Sequence, residues 1–344
     1  MGPSRDSTEV AMGGYILRRL LHVVPVVWGA ITILFLLFFI VPGDPVQLMA
    51  GDRAVSAEVR ANIEARFGLD DPWYVQYANY WKRLATGDLG VSFRNNRSVN
   101  AILGEAAPAS LRLAIWAIII EVIVGISTGL VSAVRRYSFT DLLTTVSTAM
   151  LAAIPVFVLG AALQYFLGVY TFQHGFPDWA RFPVQGIGPD TWTFFFIPTG
   201  GQWKYLVLPA FTLAAVSTAV VARMMRTTML EVVRADYMRT AASKGLNRRQ
   251  VVLKHGMKNA MIPVVTLIGL DLATLIGNAL ITETVYNWPG LGTRLLGAIV
   301  SRDAPIVLGV TAVLVLAYVL MNLLVDISYS FFDPRIRYGK EATA

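Results

Sequence analysis

Acidic side chains set inside long apolar runs are the residues of this sequence best placed to do chemistry. Asp271 lies in the run 262–284, and Thr274, Asn278 and Thr282 follow it at i+3, i+7 and i+11, with Glu283 beside the last. At 3.6 residues per turn the four share one face of a helix. An ionised Asp facing lipid at mid-span costs about 2.5–3.5 kcal/mol even on the lenient insertion scale, so it must face protein or water. A polar stripe of this kind suits the wall of a translocation pathway, and it also arises where a helix hydrogen-bonds to a neighbour. Glu121, in the run 111–134, shares a face with Gly125 and Gly129. That small-xxx-small surface lets helices approach closely, which puts Glu121 at a helix contact. Two titrating carboxyls also keep open an alternative function, a proton-coupled secondary transporter or channel that uses Asp271 and Glu121.

Other reactive chemistry is scarce. Cysteine is absent, and His22, His174 and His255 all fall at run ends or in connectors, so no central metal ligand or general base is available. No GxxxxGK[ST] phosphate cradle occurs, so the chain must take energy from elsewhere. The expectation is a non-catalytic chain that holds neither cofactor nor metal.

These residues are positioned by membrane-spanning helices. The composition is 55% apolar and only 15% charged, which marks an all-α integral membrane protein. Runs of spanning length cover 20–41, 111–134, 145–170, 205–225, 262–284 and 306–328, giving six transmembrane helices. The first is too long for a signal-peptide core and lacks a small-residue cleavage site. Pro155 and Pro209 are expected to bend or interrupt their spans. Lys and Arg are concentrated in 1–19, 135–144, 226–261 and 329–344, which places these segments, and both termini, on the cytoplasmic side of a bacterial or archaeal plasma membrane. Asp326, near the inner end of the last span, is expected to pair with a basic neighbour. The net charge of +7 thus reports topology, and no nucleic-acid module accompanies it.

The outer connectors are 42–110, 171–204 and 285–305. The first reads as folded: Ser56 precedes a helix ended by Gly68, and Asp71 with Pro72 at the first helical position opens a second. In that second helix Trp73, Tyr77, Trp81 and Leu84 form an aromatic stripe typical of packing. The segment 171–204 has no clear periodicity. ETVYNWPGLG, 283–292, forms a tight turn or a re-entrant segment.

The most basic connector is 226–261; between Glu231 and Asn259 it carries Arg234, Arg239, Lys244, Arg248, Arg249, Lys254 and Lys258 against only Glu231 and Asp236. Asp236 is a candidate N-cap for a helix over 237–244, and Gly245 suits a left-handed helix stop. Asn247 and Gln250 make a capping box that opens a second helix towards Ala260. Ala241 and Ala242 keep the first helix slim, as docking into a groove on another protein requires.

In YMRTAASKGLNRRQVVLKHGMKNAMIPVVTLIG the chain resembles the permease subunits of ABC importers, in particular the B-type permease of the dipeptide/oligopeptide family. VPGDPV, FGLDDPWYVQY, GDLGVSF, ETVYNWPGLG and NLLVDISYSFFDPRIRY extend the resemblance over nearly the whole chain. Arg239 stands where the family's cytoplasmic "EAA" loop has its Glu, Thr240 replaces the first Ala, and Pro263 comes late. The resemblance implies a type I importer permease fold with a helical extracytoplasmic loop between the first two spans. It also implies a coupling role for Asp236, Tyr237, Met238, Arg239, Thr240, Ala241, Ala242, Lys244 and Gly245. The implied partners are a second, C-type permease, two cytoplasmic ATPase domains that bind ATP and Mg, and an extracytoplasmic binding protein that delivers peptide.

Overall fold

The computed structural model describes residues 21, 24–36, 46, 56–68, 70–189 and 192–332. The terminal segments 1–19 and 333–344, most of 37–55 and the Asp326 side chain, on which expectations were placed above, lie outside this set.

The described helices, in chain order, are α1 (Val24–Leu36), α2 (Ala57–Phe67), α3 (Trp73–Ala85), α4 (Val99–Val134), α5 (Phe139–Ala153) and α6 (Val156–Gln173). A small hairpin, β1 (Trp192–Thr193) and β2 (Ile197–Pro198), follows. Then come α7 (Gln202–Val233), α8 (Asp236–Ser243), α9 (Met257–Val285), α10 (Leu291–Ser301) and α11 (Ala304–Phe332). Among the described residues, five helical paths are long and apolar enough to cross a bilayer: α4, α6, α7, Arg248–Leu272 and Ala304–Val325. The apolar helix α1 marks the site of the first expected span. Among the described residues three stretches wind as π-helix: Glu121–Gly125 within α4, Gln164–Tyr170 within α6, and Val251–Gly256 ahead of α9.

The chain divides into two compact units. The first holds residues up to Ala109 together with Pro289–Leu320. Its core joins Val99, Ile102, Leu103 and Ala106 to Leu291, Ala298, Ile306, Val307 and Val310. The first four recur at i, i+3, i+4 and i+7, so the helical stripe of α4 begins well before Leu111. The polar residues Asn100 and Glu105 hide this start from a hydropathy reading. Asp303, buried, accepts from the Ser92 hydroxyl at 2.5 Å and the Phe93 amide at 3.2 Å, which fastens the GDLGVSF segment. In α3, Pro72 is the N-cap with ψ 143° and Trp73 is the first helical residue, one later than expected. Phe35 packs edge-on to Tyr77 at 5.1 Å, and the Thr32 and Tyr77 hydroxyls meet at 2.7 Å. Within the aromatic stripe Tyr77 therefore packs against α1, Trp81 lies edge-on to Tyr77 at 6.3 Å, and Trp73 is exposed.

The second unit, Ser110–Trp288 with Met321–Arg337, is centred on α7. In α7, 72% of the most apolar stretch is buried, against 22% in α4. Gly125 and Gly129 create the contact: a Cβ on Gly125 would come within 2.8 Å of Val221 Cγ1, and one on Gly129 within 2.8 Å of Met225 Cβ. Pro155 interrupts the third span, with Ile154 extended and Pro155 capping α6. Pro209 does not interrupt α7, which runs unbroken through it. A proline ring clashes with the carbonyl four residues back, and a long, buried helix absorbs that locally because its neighbours hold it. Tyr286 pins three helices: its hydroxyl lies 2.8 Å from Thr212 Oγ1 and donates to the Gly160 carbonyl at 3.3 Å.

Candidate coupling loop and polar helix face

The segment between α7 and α9 folds as a helix, a stop and a capped restart. Ala235, extended at ψ 147°, is the N-cap of α8 and makes no side-chain cap bond. Asp236 is therefore a first-turn residue and not the cap expected, although its charge still complements the helix N-terminus. Lys244 is the C-cap, and Gly245 at φ +79° takes the left-handed position that a side chain would oppose. The Asn247 side chain accepts from the Gln250 amide at 2.8 Å while Gln250 Oε1 accepts from the Asn247 amide, so the capping box is formed. The restarted helix does not end at Ala260. It passes through the π-helical Val251–Gly256 directly into α9, carrying Pro263 inside it. The loop from Arg248 onward and the span after it are thus one continuous helical path.

Met238 and Ala241, at i and i+3, turn inward and form a small core with Val251, flanked by Val232 and Leu246. Gly256 permits this packing, since a Cβ there would lie 2.7 Å from Met229 Cε and 3.0 Å from Met238 Cε. Tyr237, Arg239, Thr240, Ala242 and Lys244 are exposed on the other side. Of the two alanines, Ala241 is structural and only Ala242 belongs to the outer surface. The Arg239–Asp236 pair, 3.7 Å apart with both side chains at least 80% exposed, adds little.

Where α7 meets the loop, a pairing invisible in the sequence appears. Arg226 grips Asp141 bidentately, Nε to Oδ1 at 2.7 Å and a terminal NH₂ to Oδ2 at 3.0 Å. The Ser132 hydroxyl and the Tyr137 amide also donate to the Asp141 carboxylate. The Arg226 guanidinium, with these donors, holds the buried Asp141 carboxyl well below the usual carboxylate range. Arg248 donates to the Val134 carbonyl at 3.1 Å, and the Thr228 hydroxyl to the Ala260 carbonyl at 3.2 Å. The one sequence signal for Asp141 is Ser138-x-x-Asp141, a helix-start pattern: Ser138 is the N-cap of α5. Its partner lies 85 residues away, beyond any local pattern.

On α9, Asp271 is half-buried, and the Thr274 hydroxyl lies 2.6 Å from Asp271 Oδ1 and 2.8 Å from its carbonyl. Thr274 and Asn278 are exposed. Thr282 and Glu283, by contrast, are 0% and 1% exposed, so they pack within the unit and do not extend the polar face. At the end of α9 the chain turns through Tyr286 and Trp288, both buried, with the Tyr286 amide donating to the Thr282 carbonyl and the Trp288 amide to the Glu283 carbonyl. Glu121 is 0% exposed at the start of the π-turn of α4, and its neighbouring acid is Asp271. Neither Glu121 oxygen nor Asp271 Oδ2 finds a donor among the described residues. Among the described residues no cluster of His, Asp or Glu could hold a metal ion.

Residues 125–338 match the family described as "Binding-protein-dependent transport system inner membrane component", and residues 12–114 match its N-terminal companion. The chain is 38% identical over 337 residues to the dipeptide transport system permease protein DppB of Alkalihalophilus pseudofirmus, covering 95% of this chain and 100% of that one. DppB of Escherichia coli K12 is 37% identical, at 95% and 99% coverage, and the glutathione transport system permease protein GsiC of E. coli O6:H1 is 35% identical, at 95% and 100%. An amino acid ABC transporter solved with histidines aligns at TM-score 0.48 and 16% identity, over 69% of this chain and 95% of that one. A helical, multi-pass chain with these matches along almost its whole length belongs to the binding-protein-dependent inner membrane component family, and is a permease subunit of an ABC importer.

Proposed function

We propose that this chain forms half of a translocation pathway for dipeptides or oligopeptides, the other half being a second, C-type permease. An extracytoplasmic binding protein delivers the peptide, and two cytoplasmic ATPase domains bind ATP and Mg and supply the work. The chain itself hydrolyses nothing. Peptide is favoured as cargo by the relatives, which are dipeptide and glutathione permeases.

One observation carries the coupling role. Helix α8 is anchored on one side through Met238 and Ala241, exposes Tyr237, Arg239, Thr240, Ala242 and Lys244 on the other, and is joined by the short Gly245 turn to a capped restart that runs from Arg248 into α9 without a break. An ATPase groove that closes on the exposed face displaces a lever joined to the helix that carries Asp271, Thr274 and Asn278. The charge distribution supports a cytoplasmic position for 226–261, and with it cytoplasmic N- and C-termini. In this reading Asp271, Thr274 and Asn278 face the pathway, while Glu121 fastens α4 to α9. The same carboxyl pair would be the titrating element of a proton-coupled transporter, and reconstitution separates the two readings.

The test is transport by proteoliposomes holding either this chain alone or the complex co-purified with its partners, with the solute carried by the co-purified binding protein identified by mass spectrometry. Uptake that needs the partners and ATP is expected. Proton-driven uptake by the isolated chain overturns the proposal.

A further inference from the structure

The Arg226–Asp141 pair gathers four pieces of backbone at one point. Arg226 sits two turns before the end of α7, which leads through Arg234 and Ala235 into α8. Asp141 is in the first turn of α5, Ser132 in the last turns of α4, and Tyr137 in the tight connection between them, at φ +64°. A non-glycine residue at this φ is held by its surroundings, here by the Tyr137 amide donating to Asp141 Oδ2 at 2.9 Å. The planar guanidinium engages both carboxylate oxygens and the Ser132 hydroxyl, which fixes orientation as well as distance. On the far side of the loop, Arg248 ties the restarted helix to the Val134 carbonyl, the last residue of α4. The loop is therefore tied to the α4–α5 connection from both of its ends.

We infer that Arg226 and Asp141 are positioning residues for energy coupling: they brace the α4–α5 turn to the root of α8, so that displacement of α8 moves α4, α5 and α7 as one body. This rests on the coupling role proposed above. Without the brace, α8 would pivot on the small Met238–Ala241–Val251 core, and its displacement would be lost in loop motion. An ion pair that served only to glue the fold would change the amount of assembled protein and leave the motion of the assembled protein alone.

The full importer, with its ATPase and second permease subunits in lipid nanodiscs, carries nitroxide labels at Arg136→Cys and Ser243→Cys, which is straightforward because the chain has no cysteine of its own. With the brace intact, the label separation is narrow and is the same before and after trapping with ATP and vanadate. Asp141→Asn and Arg226→Gln widen the distribution about twofold on trapping, because each removes the charged fork; Arg226→Lys, with the charge but not the fork, falls between. If Asp141→Asn or Arg226→Gln fails to assemble, Arg226→Lys supplies the same reading. A native separation that shifts on trapping, or variants that keep the native width, overturn the brace. The mobility of the Ser243 label reports docking separately. If the label is immobilised by the ATPase subunits while the variants keep the native width, docking stands and the brace alone falls. If the label stays mobile, the docking reading falls and takes the transmission role with it.

Discussion

Gly129→Ala adds one methyl group to a helix contact that has no room for it. The new Cβ would lie 2.8 Å from Met225 Cβ and closer still to the Ala222 carbonyl oxygen. Apolar carbons rest at about 3.5–4.0 Å, so the shortfall is roughly an ångström. Neither obstacle can rotate away, since one is backbone and the other a Cβ, so α4 and α7 must separate. Overpacking of this kind costs about 1–3 kcal/mol, and backbone on one side puts it near the top of that range. Replacing a helical glycine returns about 0.5–1 kcal/mol, leaving a net loss of about 2 kcal/mol. Gly104 is the control in the same helix, because nothing lies within 4 Å of its added Cβ; Gly104→Ala should gain about 0.5 kcal/mol. At about 2 °C per kcal/mol, the melting midpoint in detergent falls by roughly 4 °C for Gly129→Ala and rises by about 1 °C for Gly104→Ala. Unfolding in detergent is governed by rate, so all three proteins are heated at one scan rate. A Gly129→Ala protein that melts at or above the native midpoint, or a Gly104→Ala protein that falls as far, refutes the close-contact argument.

Three further outcomes follow from the same geometry. Ala242→Glu on the exposed face of α8 should leave the melting midpoint within about 0.5 kcal/mol of native yet reduce ATP-driven uptake by roughly tenfold, whereas Ala241→Glu buries a charge and lowers the midpoint itself; thermal melts beside uptake assays separate them. The Asp141 carboxyl is held below its unfolded value of about 3.9, so its stabilisation is complete above about pH 4 and is lost as pH falls towards the folded value. Asp141→Asn should therefore melt lower at pH 7, by about 1–3 kcal/mol, and show a shallower acid limb below about pH 4 in melts carried from pH 7 to about pH 2. Glu121→Gln places an amide donor against Asp271 and should keep the assembled yield near native, while Glu121→Leu strands Asp271 and costs about 1–3 kcal/mol, read from the fraction that stays monodisperse on gel filtration.

Much of the architecture can be read from local pattern. Lipid demands long apolar helices, so the spans declare themselves by length, and α4 is misjudged only where Asn100 and Glu105 interrupt the hydropathy of a stripe whose helical period is intact. Gly245 and the Asn247–Gln250 box are legible because caps and left-handed stops depend on residues at most three apart. Gly125 and Gly129 announce a close contact in the same way. Asp236 misleads because a good capping residue in sequence need not take the extended backbone of a cap, which here falls to Ala235.

Which partner each residue meets is decided by the packing. Ala241 and Ala242 are identical in sequence, and only the fold of Val251 and Leu246 beneath α8 turns one inward and leaves the other on the surface. Thr282 continues the spacing of Asp271, Thr274 and Asn278, but it is fully buried while Thr274 and Asn278 are exposed. Arg226 and Asp141 meet because α5 and α7 pack closely enough to bring two distant charges within 2.7 Å. Periodicity along one chain specifies a helix and its faces; the facing residue is set by where a second helix, tens of residues away, comes to rest.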